Sequence, residues 1–113
     1  MFRLLQGDVG SGKTIVSLLS SFNTINSGFQ VAVMAPTEIL ARQHFLLAKK
    51  IFPKEICIEL LSGKSTYKDK KNISEKLRNK KIDIIFGTHA LFQKKIEFKK
   101  LGLIVIDEQH KFG

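Results

Sequence analysis

Short apolar runs alternate along the chain with longer stretches in which apolar residues recur every three or four positions. The continuous runs are typical of strands buried on both faces of a parallel sheet. They cover residues 2–6, 31–35, 56–61, 82–86 and 103–108, the last with two carboxylates at its end. Strands that alternate with helices predict right-handed βαβ units, so we expect an α/β fold built on a doubly wound parallel sheet.

Three helices are predicted between these strands. The first carries apolar residues at helical spacing from Ile15 to Ile25 and ends before Gly28. The second runs from Glu38 to about Phe52 with Thr37 as its cap, and His44 lies on one of its packing stripes. The third is short, and its predicted N-terminal cap is Asn72, with Glu75 as capping-box partner and Ile73 and Leu77 facing inward.

A phosphate-binding loop is the strongest motif. Residues Gly7-Asp8-Val9-Gly10-Ser11-Gly12-Lys13-Thr14 fit the pattern G-x-x-x-x-G-K-[ST] between a strand and a helix. The glycines let backbone N–H groups approach a polyphosphate, Lys13 supplies a cation, and Thr14 supplies a hydroxyl ligand for Mg²⁺. A glycine-rich turn without a ligand would not need Lys13 and Thr14 directly after Gly12.

Asp107 and Glu108 form a second motif at the end of the last predicted strand. Hydrolysis of a phosphoanhydride needs a metal ion and a group that orients the attacking water. Asp107, with Thr14, is predicted to hold Mg²⁺, Glu108 to position the water, and His110 to connect this site with a second ligand. The alternative is a pair of solvated carboxylates. The three histidines, His44, His89 and His110, lack the spacing of a zinc site.

Polar segments follow all five predicted strands, and in a parallel sheet these segments meet at the carboxyl edge. They are Gly7–Thr14, Pro36–Glu38, Ser62–Thr66, Gly87–His89 and Asp107–His110. We therefore expect one combined site at that edge.

A formal charge of +9 suggests a polyanionic partner, most simply nucleic acid. The lysines and arginine between residues 68 and 81 are either a solvated face or a DNA contact, and a second basic cluster follows at Lys94, Lys95, Lys99 and Lys100. The single cysteine, Cys57, is expected to be a buried thiol. Because no apolar run approaches the ~20 residues of a membrane span, we expect a cytoplasmic protein without a membrane partner.

Four runs together closely resemble bacterial RecG-type ATP-dependent DNA helicases of superfamily 2. They are residues 7–14, 35–44, 87–93 and 105–113, the last reading Val-Ile-Asp-Glu-Gln-His-Lys-Phe-Gly. The resemblance implies a P-loop NTPase lobe of the RecA-like kind, in a motor that hydrolyses ATP to move on double-stranded DNA and remodel branched DNA in repair and recombination. The transcription–repair coupling translocase is the nearest alternative, and it usually differs at the positions of Ser11, Gln109 and His110.

The resemblance also implies roles for individual residues. ATP and Mg²⁺ are the cofactors, with the nucleotide on Gly7–Thr14, the metal on Thr14 and Asp107, and Lys13, Asp107, Glu108 and His110 in catalysis. Sequence-independent contacts with the DNA backbone fall to Pro36, Thr37, Glu38, Gln43, Gly63, Lys64, Gly87, Thr88 and His89.

The chain departs from that family in extent. Residues 1–113 correspond to a partial, truncated first motor lobe, whose partners in the parent chain would be a wedge domain and a second motor lobe. A family strand between the phosphate-loop strand and the carboxylate strand is missing, so we expect a gap in the sheet, marginal stability and little or no turnover. A non-catalytic nucleotide-binding module remains an alternative. A P-loop kinase or transporter ATPase is disfavoured because no acceptor-binding or signature segment is visible.

Overall fold

The computed structural model describes residues 3–7, 11–61, 63, 66–88 and 96–107, with the backbone alone for 3–7 and 11–17. Each predicted strand and helix is present in the described residues, with ends shifted by a few positions. In chain order they are β1 (Arg3–Gly7), α1 (Ser11–Asn26), β2 (Gln30–Ala35), α2 (Glu38–Ile51), β3 (Ile58–Leu61), α3 (Tyr67–Arg78), β4 (Ile84–Thr88) and β5 (Leu101–Asp107).

The five strands form one parallel sheet in the order β1-β5-β2-β4-β3. From β1 to β3 the chain moves across the sheet in one direction, and α1 and α2 pack on one face. After β3 the direction reverses, and α3 packs on the other face. Helices that change face when the direction reverses are the result of crossovers of one hand. The predicted doubly wound α/β fold is confirmed.

Alternate residues of β2 and β4 enter separate hydrophobic clusters, as expected for strands covered on both faces. Val31 and Val33 of β2 face α1 and α2, whereas Ala32 faces α3. On the first face α1 also contacts the residue that ends α2, since the ring centroids of Phe22 and Phe52 lie 5.8 Å apart. Both faces of the central strands are therefore dry.

The expected gap between the phosphate-loop strand and the carboxylate strand is wrong. β1 pairs directly with β5, in register from Arg3 opposite Leu103 to Gly7 opposite Asp107. Unpaired N–H and C=O groups inside a sheet are energetically costly. Direct pairing of β1 with β5 satisfies those groups, and the sheet is continuous.

The predicted cap of the third helix is also wrong. α3 begins at Tyr67, and Thr66 is its cap: Thr66 Oγ1 accepts from the N–H of Asp69, whose carboxylate accepts from the N–H of Thr66. Asn72 lies inside the helix. Both Thr66 and Asn72 have an acidic residue three positions on, so the sequence offers two capping boxes, and the earlier one adds more than a turn of helix. Leu77 is buried and Ile73 half-buried, as predicted.

Close packing and one buried side chain hold the amino ends of the strands together. Gln30 is fully buried; its Nε2 donates to the carbonyls of Leu77 and Ile82, each at 2.9 Å, and its Oε1 accepts from the N–H of Lys100 at 2.8 Å. At Gly102 a Cβ atom would lie 2.5 Å from Cβ of Phe29, so β5 needs a glycine there.

Candidate functional site

All five strands end at one edge of the sheet because they are parallel. Gly7, Ala35, Leu61, Thr88 and Asp107 are their last residues. The predicted polar segments continue from these residues. Their expected meeting at the carboxyl edge is confirmed as far as the described residues extend.

The phosphate-loop motif lies between β1 and α1, the strand–loop–helix setting that such a loop requires. β1 ends at Gly7, and α1 begins at Ser11. Gly12, Lys13 and Thr14 follow Ser11 in the first turn of α1, where the backbone N–H groups and the helix dipole favour an anion. Predicted residues Asp8, Val9 and Gly10 lie outside the described part of the chain.

Asp107 is the buried end of the carboxylate strand. It lies opposite Gly7 in the β1–β5 ladder, and it has no exposed surface. Its Oδ2 atom is 2.9 Å from Nε2 of His44 on α2. Adjacent strands are about 4.8 Å apart, so the start of the phosphate loop and this carboxylate are close neighbours. Glu108 and His110 are outside the described residues.

Sequence reasoning did not find the contact between His44 and Asp107. It placed His44 on a packing stripe of the second helix, where the side chain is indeed buried, with 8% of its surface exposed. A polar ring on the sheet-facing side of a helix needs a partner. The sequence therefore indicated that a buried His44 would have a polar partner, but it did not indicate which acidic residue that partner is.

The amino end of α2 carries the first predicted DNA residues. Pro36, Thr37 and Glu38 are exposed at the carboxyl edge. Thr37 is the helix cap, and its Oγ1 accepts from the N–H of Leu40 at 3.2 Å. The N–H of Gly63 donates to Oε1 of Glu38 at 2.6 Å. The structure thus brings two of the predicted DNA segments into direct contact.

The remaining predicted DNA residues occupy different positions. Gln43 is exposed on α2 and lines a groove of about 500 Å³ between α2 and β3, next to Arg42 and Leu60. Thr88 is half-buried at the end of β4. Gly87 is buried between Met34 and Leu61 within the sheet, a position that does not favour a direct DNA contact. Lys64 and His89 lie outside the described residues.

The basic residues divide between the two edges of the sheet. α3 begins near the carboxyl edge, where Lys68 is exposed, and ends at the amino edge. Lys81 and Lys99 are exposed beyond that end, and the N–H of Lys99 donates to the carbonyl of Leu77. Lys81 and Lys99 thus lie at the edge of the sheet opposite the polar motifs. Lys94 and Lys95 are not among the described residues.

Cys57 is half-buried among apolar residues of the α3 face. Burial raises the pKa of its thiol, and the nearby carboxylates of Glu59 and Asp83 act in the same direction. The thiol therefore stays protonated at neutral pH, in keeping with a packing role. In the described part of the chain, no helix has the length and apolar character needed to cross a membrane.

Comparison with known proteins agrees with the motifs. The sequence pattern of DEAD/DEAH box helicases matches residues 3–113. The ATP-dependent DNA helicase RecG of Borreliella burgdorferi is 54% identical to this chain, and the match covers 100% of this chain and 17% of that protein. RecG of Thermotoga maritima is 52% identical, and the match covers 100% of this chain and 15% of that protein. A structure of RecG bound to a three-way DNA junction matches with a TM-score of 0.83 and 50% identity, over 98% of this chain and 15% of that one. The chain thus spans about a sixth of the length of these relatives. The resemblance to RecG-type helicases is confirmed.

Proposed function

Because the chain belongs to the DEAD/DEAH box helicase family, we propose that residues 1–113 are part of the first RecA-like motor lobe of a RecG-like enzyme. That enzyme couples ATP hydrolysis to movement on branched, double-stranded DNA in repair and recombination. The observation that carries the proposal is the family match over residues 3–113, in which the phosphate-loop segment follows β1 and Asp107 ends the adjacent strand. The bacterial cytoplasm, where the DNA lies, is the proposed location.

The nucleotide binds at the start of α1 in this proposal. Backbone N–H groups of Gly7–Thr14 hold the phosphates, and the positive end of the α1 dipole faces them. Lys13 adds a cation that stabilises the negative charge on the terminal phosphate. These interactions contact only the phosphates, so they do not distinguish one nucleotide base from another.

Asp107 and Thr14 are the proposed ligands of Mg²⁺. Asp107 offers a carboxylate at the strand end opposite Gly7, and Thr14 is in the first turn of α1. Oxygen donors of this kind are the ligands that Mg²⁺ prefers, usually one or two from protein together with nucleotide phosphates. The bound metal would neutralise charge on the phosphates. Glu108 is proposed to orient the attacking water, and His110 to relay the state of the site to the DNA side.

DNA is proposed to lie along the carboxyl edge, on the amino end of α2. Thr37 caps α2 with its oxygen and still has a hydroxyl hydrogen to donate to a phosphate. Gln43 is exposed further along α2, and Lys64 and His89 belong to the neighbouring segments. The carboxylate of Glu38 would repel a phosphate, so its proposed part is to hold the loop at Gly63 in place. Contacts of this kind position a duplex without reading its sequence.

A titration with Mg²⁺-ATP tests the nucleotide site. We expect the wild-type chain to bind and Lys13→Ala to lose binding. The matched control is Lys81→Ala, which removes the same charge from an exposed position at the opposite edge. Circular dichroism checks that all three chains are folded. Equal binding by wild type and Lys13→Ala, or no binding by a folded wild type, would contradict the proposal.

A second measurement separates a motor lobe from a nucleotide-binding module. Binding of a three-way DNA junction is followed by fluorescence anisotropy over a range of salt concentrations. We expect the affinity of the wild type to fall steeply with salt and to be lower in Gln43→Ala, while Asn26→Ala, a change at an exposed end of α1, has no effect. A chain that binds ATP but shows no effect of Gln43→Ala on DNA would favour the module. The second motor lobe and the wedge domain are the proposed intramolecular partners.

A further inference from the structure

His44 and Asp107 form a polar contact where α2 packs against the apolar side chains of the sheet. Both side chains are buried, with 8% and 0% of their surface exposed, and Nε2 of His44 is 2.9 Å from Oδ2 of Asp107. Nearby on α2, Ala41 and Ala48 are also buried against the sheet. A leucine at position 44 would fill such a position without any polar group to satisfy.

A carboxylate that ligates a metal ion only accepts hydrogen bonds, so in that state Nε2 of His44 must carry the hydrogen of the contact. The bond leaves Asp107 with one preferred orientation, because turning the carboxylate would leave the donor of His44 buried and without its acceptor. Carboxylates that bind metals are usually oriented by such a second hydrogen bond. His44 approaches from α2, a different element from those that carry the nucleotide residues.

We propose that His44 is a positioning residue for the nucleotide-bound metal: it holds the Asp107 carboxylate in the orientation that ligates Mg²⁺. The inference rests on the proposed function, since it assigns His44 a part in the same site. It predicts that changes at His44 weaken metal-dependent nucleotide binding and leave metal-independent binding almost unchanged.

Two amide substitutions test the position of the donor. In Gln the amide nitrogen reaches about as far as Nε2 of histidine, whereas in Asn it reaches only about as far as Nδ1. His44→Gln is therefore expected to keep the bond to Asp107, and His44→Asn to lose it. His44→Leu removes the donor at similar volume. Leu47→Ala is the matched control, because Leu47 is a half-buried residue one turn along α2 that packs in the apolar core.

The readout is binding by the purified 113-residue chain, not turnover. Mn²⁺ serves as the metal probe: the loss of its free electron paramagnetic resonance signal gives the affinity of the ATP complex for the metal, and a fluorescent ATP analogue gives nucleotide affinity with Mg²⁺ and with EDTA. We expect His44→Asn and His44→Leu to weaken Mn²⁺ binding by roughly 10-fold or more, and His44→Gln by less than about 3-fold. Leu47→Ala is expected to lower thermal stability and to leave the metal affinity of the folded chain unchanged.

The outcomes separate the two proposals. If the wild type binds the Mn²⁺-ATP complex and His44→Asn binds it equally well, the positioning role is wrong and the proposed function stands. Equal losses in His44→Gln and His44→Asn, or in Leu47→Ala, would show that His44 only packs α2 against the sheet, which also overturns the inference. If the folded wild type binds no nucleotide with or without metal, the proposed function fails first. If His44→Leu does not fold, the comparison of His44→Gln with His44→Asn still tests the positioning role.

Discussion

Buried polar side chains occur at both ends of the sheet, but their partners differ. At the amino end, Gln30 bonds three main-chain groups, from Leu77, Ile82 and Lys100. At the carboxyl end, His44 and Asp107 bond each other's side chains. Gln30 is uncharged and ties together three segments whose positions are otherwise set by packing. The pair at the other end consists of two ionisable groups, which are expensive to bury.

The difference separates residues that hold the fold from residues that hold a site. An apolar core is usually more stable than a buried ionisable pair, so the pair of His44 and Asp107 is better explained by chemistry than by stability. The main-chain groups that bond Gln30, in contrast, are satisfied by an uncharged amide side chain. We therefore expect substitution of Gln30 to change the free energy of unfolding, and substitution of His44 or Asp107 to change ligand binding more than stability.

The largest effect on stability is expected at Gln30. Gln30→Leu removes three buried hydrogen bonds, and although the carbonyl of Leu77 keeps other donors, the carbonyl of Ile82 and the N–H of Lys100 lose the bond to Gln30, so the free energy of unfolding should fall by about 3 kcal/mol. Urea denaturation measures the loss. Nucleotide affinity, measured where the variant is still folded, should not change. A loss below about 1 kcal/mol, or weaker nucleotide binding by the folded variant, would remove the contrast between the two edges.

An intermediate effect is expected from a single methyl group at the amino edge. Gly102→Ala places Cβ 2.5 Å from Cβ of Phe29 and 3.0 Å from Cγ2 of Thr24, so β5 or the chain before β2 must shift. We expect a loss of about 2 kcal/mol in the same denaturation assay.

The matched control is Gly63→Ala at the carboxyl edge, where the nearest described atoms to the new Cβ belong to the flexible end of Glu38, at 3.3 Å. Its effect should stay within about 0.5 kcal/mol. Equal losses in the two alanine variants would mean that the loop at Gly63 is packed as tightly as the amino edge.

The smallest effect concerns the start of α3, at the carboxyl edge. Thr66→Ala removes the capping box and should lower the free energy of unfolding by about 1 kcal/mol. Asn72→Ala changes an exposed residue within the helix and should have an effect within about 0.5 kcal/mol. The reverse order of the two losses would show that the helix starts at Asn72 in solution. The change in helical circular dichroism provides an independent check.

Local patterns in the sequence predicted the elements of the fold and the edge at which the motifs meet. The apolar run from Val31 to Ala35 and the helical spacing before Gly28 depend on neighbours in the chain, so they can be read directly. At Gly28 the structure has the positive φ of 92° that favours glycine at a helix end. The phosphate-loop pattern likewise predicted its strand–loop–helix setting.

Contacts between distant segments were not predictable in the same way. The partner of β1 depends on which strand edge is available, and the missing-strand argument placed a gap between β1 and β5, which in fact pair directly. The partners of Gln30 and His44 are set by tertiary packing, since each side chain reaches groups far away in sequence. Thr66 rather than Asn72 caps α3 because the helix that begins after Thr66 is longer by more than a turn. Glu108 and His110 remain predictions.

The position of β5 in the sheet has a consequence for folding. β5 lies between β1 and β2, although it follows both of them by most of the chain length. During synthesis β5, which joins β1 to the rest of the described sheet, leaves the ribosome after the other four described strands. Until then none of the other described strands pairs with β1 and one edge of β2 is open, and unpaired strand edges are templates for pairing with other chains. For this part of the protein, we therefore expect the nascent sheet to be prone to aggregation until residues 101–107 emerge.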